Sequence, residues 1–155
     1  MNGIFFALLG AAIGAGLAGS GSGMGVGIAG AAAAGVLAED PNKFGQTILL
    51  QALPGTQGIY GLLFAFLVLI RINMFGEPVA MDIATGLQVF ACGFPVGLAG
   101  YFSGVGQGRA SAGAMGIIAK RPEDLAKAMI YPAMVETYAV LGLLLSILML
   151  FQVNL

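Results

Sequence analysis

One carboxylate in this chain of 155 residues stands apart from all the others. Glu136 is the only charged residue between position 128 and position 155, in a segment rich in Leu, Ile, Met, Ala and Val. An ionised acid at mid-membrane costs roughly 2.5–3.5 kcal/mol on insertion scales, and such a residue is a functional candidate by default. Counting from the flanking prolines places its neighbours. Glu136 lies 14 residues after Pro122 and Gln107 lies 15 before it, so an antiparallel helical hairpin sets them at one depth. Thr56 and Gln57 lie 15 and 16 residues after Pro41, at the same level, and Tyr60 is one helical turn beyond Thr56. Pro54 and Pro132 free backbone carbonyls, since neither has an N–H to donate. These are all hard oxygen donors, the set that suits a hard cation. A single negative charge suits a monovalent ion such as Na⁺. A proton carrier would need only the carboxyl group in a dry pocket, and interhelical hydrogen bonding is the plainer use of the same amides.

Composition excludes the competing chemistries. There is no histidine and one cysteine, Cys92, so neither a His-based general base nor a disulfide, zinc-thiolate or iron–sulfur centre is available. Hydrophobic residues make up 59% of the chain and charged residues 8%, against about 25% in soluble domains. Lipid is therefore the solvent. A net charge of −1 excludes an electrostatic nucleic-acid binder.

The elements that must position these residues follow from the charges. Eleven of the thirteen fall in clusters at 39–43, 71–82 and 120–127. The charge-free runs 1–38, 44–70 and 83–108, with the run from 128, each hold one span of about 20 apolar residues. The fold class is an all-α membrane protein with four transmembrane helices. The first run has no Pro and predicts one long protruding helix. The start, Met-Asn-Gly-Ile-Phe-Phe, lacks a basic segment, which argues against a cleaved signal peptide. Lys43, Lys120, Arg121 and Lys127 against Arg71 alone put the loops 39–43 and 120–127 in the cytoplasm and both termini outside.

The chain repeats itself at an offset of 81. Ala38-Glu39-Asp40-Pro41 aligns with Ala119-Lys120-Arg121-Pro122, Gly16-Leu17-Ala18-Gly19 with Gly97-Leu98-Ala99-Gly100, and Thr56 with Thr137. The organisation is two tandem hairpins, 1–76 and 82–155, with 77–81 as linker. Each has an even number of spans, so they share one orientation. Gly55 stands opposite Glu136 in this register, so the first hairpin carries no carboxylate at that depth.

Gly19, Gly21, Gly23, Gly25 and Gly27 recur every two residues, which on a helix turns about 200° per step. Two opposite small-residue stripes result, each allowing a close helix approach. Gly100, Gly104 and Gly108 repeat the theme on the third helix, with Gly106 across from them. Helices flanked closely on both sides predict a closed ring of identical copies, although packing within one bundle is the simpler use. Arg109, two residues past Gln107, should point away from the site; an Arg109–Glu136 ion pair is the rival arrangement and would block a cation.

Leu53-Pro54-Gly55-Thr56-Gln57-Gly58-Ile59-Tyr60-Gly61, Ser103-Gly104-Val105-Gly106-Gln107-Gly108 and Met134-Val135-Glu136-Thr137-Tyr138-Ala139 resemble the proteolipid of vacuolar-type rotary ATPases, most closely the bacterial sodium-translocating kind. The resemblance covers nearly the whole chain. It implies a rotor-ring subunit, not an enzyme by itself, with Glu136 as the ion-carrying acid. It further implies side-chain oxygens from Thr56, Gln57 and Gln107, a backbone carbonyl from Leu53 and a hydrogen bond from Tyr60. The implied cargo is Na⁺, with Li⁺ as surrogate and no organic cofactor. The implied partners are identical copies, a stator membrane subunit bearing an Arg, central-stalk subunits touching the two charged loops, and membrane lipid, with no nucleic acid. A proton-carrying ring and a small stand-alone cation-coupled transporter remain as alternatives, and a non-transporting ring as a third.

Overall fold

The computed structural model describes residues 3–155 as five α-helices: α1 Gly3–Glu39, α2 Phe44–Ala52, α3 Thr56–Arg71, α4 Ile83–Lys120 and α5 Leu125–Gln152. Short 3-10 turns at Pro41–Lys43, Leu53–Gly55 and Pro122–Asp124 link them. No strand occurs among the described residues. Four helical stretches are long and apolar enough to cross a membrane: Gly3–Glu39, Pro41–Arg71, Ile83–Lys120 and Pro122–Gln152. At about 1.5 Å per residue α1 is roughly 55 Å long, well beyond a hydrocarbon core of about 30 Å. The long protruding first helix is thus present.

The helices start and stop where local chemistry dictates. Asp40 caps the first turn, its carboxylate accepting from the Asn42 N–H at 3.0 Å with Pro41 in the following position. That hydrogen bond holds the exposed Asp40 carboxyl below the ordinary aspartate range. Asp82 caps α4 by accepting from the Thr85 N–H at 2.8 Å, and the Thr85 side chain together with that N–H lowers its pKa. Between α3 and α4 the chain turns through Asn73, whose φ of 52° is the left-handed region that Asn tolerates.

The two charged turns lie at one end, tied by Lys43, which donates to the Ala119 carbonyl at 2.7 Å. At the other end the Gly3 N–H reaches the Met81 carbonyl at 3.1 Å. There Arg71 donates to the Val153 carbonyl at 2.9 Å and lies over the Phe151 ring, joining the ends of α3 and α5.

α1 and α4 pack most closely. A Cβ on Gly25 would overlap the Gly104 carbonyl oxygen, and one on Gly108 would overlap the Gly25 backbone. α3 lies on α1, where a Cβ on Gly61 would stand 2.7 Å from the Ala18 methyl, and α5 lies on α4, where one on Gly142 would stand 2.5 Å from the Ala99 methyl. Two apolar clusters fill the interior. One gathers Ala7, Phe64, Val68, Val89, Val96 and Leu150 toward the termini. The other gathers Val36, Leu50, Met115, Ile118 and Ala128 toward the turns. Buried glutamines Gln57 and Gln107 come between them along the helices. The outer faces of α3 and α5 leave Ile59, Leu62, Ile70, Met134, Leu141 and Leu148 exposed, a continuous apolar surface that lipid, and not water, tolerates.

Candidate ion-binding site

The site begins with a broken helix. Pro54 cannot donate to the preceding turn, and the backbone tightens into the 3-10 turn Leu53–Gly55 before α3 begins. The break turns the Leu53 carbonyl toward Thr56, whose hydroxyl donates to it at 3.1 Å. The Thr56 hydroxyl also lies 3.5 Å from Gln57 Oε1. Gln57 Nε2 donates to Gln107 Oε1 on α4. Gln107 Nε2 donates to Glu136 Oε2 at 3.2 Å, and the Tyr60 hydroxyl donates to Glu136 Oε1 at 2.5 Å. Leu53, Thr56, Gln57, Tyr60, Gln107 and Glu136 therefore form one connected chain of polar groups drawn from both hairpins.

Burial gives that chain its weight. Gln57 and Gln107 are each 0% exposed, while Thr56, Tyr60 and Glu136 are half-buried. Each buried amide is costly unless hydrogen-bonded, and here each satisfies the other. Depth counting from Pro41 and Pro122 thus brings together the residues it selected. Pro132 lies within α5, which runs unbroken from Leu125 to Gln152, so only Pro54 interrupts its helix.

Arg109 is exposed and lines a shallow depression with Met24, Tyr101, Phe102, Val105 and Gly106. Among the described residues the ion pairs are Lys43–Asp40 and Lys127–Asp124. Arg109 therefore does not pair with Glu136.

The two glycine stripes of α1 have different uses. Gly21 and Gly25 pack within the chain against α4, at Gly100, Gly104 and Gly108. Nothing lies within 4 Å of a Cβ on Gly16, Gly19, Gly23 or Gly27, so that face is open. On α4 the stripe Gly100, Gly104 and Gly108 is consumed by α1, and a Cβ on Gly106 would stand 3.3 Å from Val135 of α5. Of these stripes only that of α1 stays open; farther along α4, Gly113 and Gly116 also face open space.

Sequence reasoning did not single out Ser22 as part of this region. Its hydroxyl oxygen accepts the Gly58 N–H at 2.7 Å, beside the break. The sole signal was its recurrence at the repeat offset as Ser103.

Relatives share this arrangement of sequence. The family of ATP synthase C subunits matches the chain twice, over residues 9–68 and 90–149, two segments displaced by the same 81 positions as the internal repeat. The chain belongs to the ATP synthase C-subunit family. It is similar to the K subunit of the V-type sodium ATPase of Enterococcus hirae, 43% identical over 148 residues that cover 96% of this chain and 92% of that protein. It is also similar to the K subunit of the A-type ATP synthase of Methanocaldococcus jannaschii, 45% identical over 147 residues, 95% of this chain but 62% of that protein. A member of the ATP synthase C-subunit family is a non-catalytic, multi-pass membrane component of a rotary ATPase. It works as one of a ring of identical copies that carries ions past the rest of the complex.

Proposed function

We propose that the ring built from this protein carries Na⁺, held at Glu136 by the side-chain oxygens of Thr56, Gln57 and Gln107 and by the Leu53 carbonyl. Tyr60 steadies the carboxylate without touching the ion. The observation that carries the reading is the connected chain from Leu53 to Glu136: four oxygen-bearing groups beyond the carboxylate converge at one depth. A proton site has no use for that many. One carboxylate neutralises one Na⁺, so a loaded site can face lipid without the cost of a bare charge. The name of the Enterococcus relative agrees with this cargo. Li⁺, another small monovalent hard cation, is the expected surrogate.

In the working complex, hydrolysis elsewhere turns the ring. Each Glu136 meets a stator subunit whose Arg displaces the ion, and then reloads. The hairpins 1–76 and 82–155, joined by 77–81, hold the site jointly. Gly19, Gly23 and Gly27 pack against the next copy in the ring, while Gly21, Gly25, Gly100, Gly104 and Gly108 close the protomer itself. Loops 39–43 and 120–127 face the cytoplasm and the central stalk, with both termini outside, since four of the five loop cations lie on that side.

Carbodiimide labelling of Glu136 in the purified ring tests this. Such reagents attack a protonated carboxyl in an apolar setting. Suppression by Na⁺ and Li⁺, but not by a large inert cation at the same pH, is the expected result. Labelling indifferent to Na⁺ makes the ring a proton carrier and the amides interhelical glue.

A further inference from the structure

The break at Leu53–Gly55 creates a capping problem that its own residues do not solve. The first turn of any helix leaves N–H groups without intrahelical partners, and no water reaches them inside a membrane. An ordinary N-cap side chain accepts from the second or third residue of the helix. The N-cap of α3 is Gly55, which has no side chain and forms no side-chain cap bond, although the Thr56 N–H is bonded to the Leu53 carbonyl. Gly58 is the third residue of α3, and its N–H is accepted by Ser22 on α1 at 2.7 Å. Ser22 is 6% exposed. The helices lie close here: a Cβ on Gly58 would be in van der Waals contact with the Ser22 side chain at 3.4 Å and with Gly19 Cα at 3.5 Å.

The repeat supplies an internal control. Ser103 occupies the place of Ser22 in the second hairpin, and Ala139 that of Gly58. α5 is unbroken there, so its N–H groups are bonded within the helix. Ser103 is also 6% exposed, yet its hydroxyl has no partner. The same serine is engaged where the outer helix is broken and idle where it is not.

We propose that Ser22 is a positioning residue for the ion site. By capping α3 from a different helix it fixes the turn that aims the Leu53 carbonyl, Thr56 and Gln57 toward Gln107 and Glu136. It touches no ion and acts only through the backbone. This rests on the reading of that cluster as the Na⁺ site.

The test measures Na⁺ binding by the intact purified ring, unaltered and as S22A, S22C and S103A. Labelling of Glu136 at acid pH without Na⁺ verifies that the carboxyl stays reachable in each. Removing the acceptor leaves a buried N–H unpaired, and S22A is expected to bind Na⁺ about tenfold more weakly. S22C keeps nearly the same volume but offers only sulfur, a weak acceptor, so an intermediate affinity is expected. It carries the test if the S22A ring does not assemble. S103A is expected to bind as the unaltered ring does. Unchanged affinity in S22A and S22C, or an equal loss in S103A, overturns the assignment. If the unaltered ring binds no Na⁺ at all, the sodium reading fails on its own. Ser22 is then judged by the pH of half-maximal labelling: displacement in S22A relative to S103A supports it, and coincidence overturns it.

Discussion

Tyr60 donates its hydroxyl to Glu136 across 2.5 Å, so the hairpin with no acid at this depth holds the acid of the other. The two residues are 76 positions apart, on α3 and α5. Neither hairpin contains the whole polar cluster: the first brings Leu53, Thr56, Gln57 and Tyr60, the second Gln107 and Glu136.

Tyr60→Phe removes one charge-assisted hydrogen bond and nothing else. Such bonds contribute about 1.5–3 kcal/mol, so Na⁺ affinity is expected to fall about tenfold or more while the ring still assembles. Equilibrium Na⁺ binding by the variant ring reads this directly, and an unaltered affinity would show that Gln107 alone suffices to orient the carboxylate.

Glu136→Gln keeps the shape and removes the charge. ATP-driven Na⁺ uptake into vesicles containing the whole complex is expected to vanish, with ring size unchanged. Transport surviving at any substantial rate would place the carrier group elsewhere.

Glycines on opposite sides of α1 are expected to fail in different ways. Gly25→Leu drives a side chain into the Gly104 backbone, so α1 and α4 separate and the protein does not accumulate. Gly23→Leu meets open space within the protomer, which should fold but not close into a ring. Native mass spectrometry distinguishes the two, and a Gly23→Leu ring of ordinary size would remove this face from the interface.

Asp82 caps α4 from outside the membrane span, and its pKa is depressed by the Thr85 side chain and N–H. A depressed carboxylate contributes its stabilisation above its unfolded pKa and loses it as pH falls through the folded value. Below about pH 4 the first turn of α4 is therefore expected to fray. Protection of the Thr85 amide against hydrogen exchange, relative to its intrinsic rate at the same pH, should fall there, and Asp82→Ala should lack that protection at every pH.

Much of this architecture is legible in the order of residues alone. Charges are costly in lipid, so the gaps between Lys43 and Arg71, or between Asp82 and Arg109, had to be spans. Antiparallel hairpins conserve depth, so counting from Pro41 and Pro122 was enough to bring Gln57, Gln107 and Glu136 to one level. Contacts that depend on the lateral placement of helices were not legible. The stripes Gly21–Gly25 and Gly19–Gly23–Gly27 look alike in sequence, and only the position of α4 decides which is covered. The bond from Ser22 to Gly58 and that from Lys43 to the Ala119 carbonyl involve backbone groups, which carry no mark in the sequence.

Gly55 stands in the first hairpin where Glu136 stands in the second. A ring of such protomers offers one berth for every four helices, where two acid-bearing hairpins would offer two. At equal circumference, half as many ions cross per revolution. If the fuel consumed per revolution is the same, each ion receives twice the work. One acid where a duplicated hairpin has room for two is thus a change of gear: fewer ions moved, each against a steeper gradient.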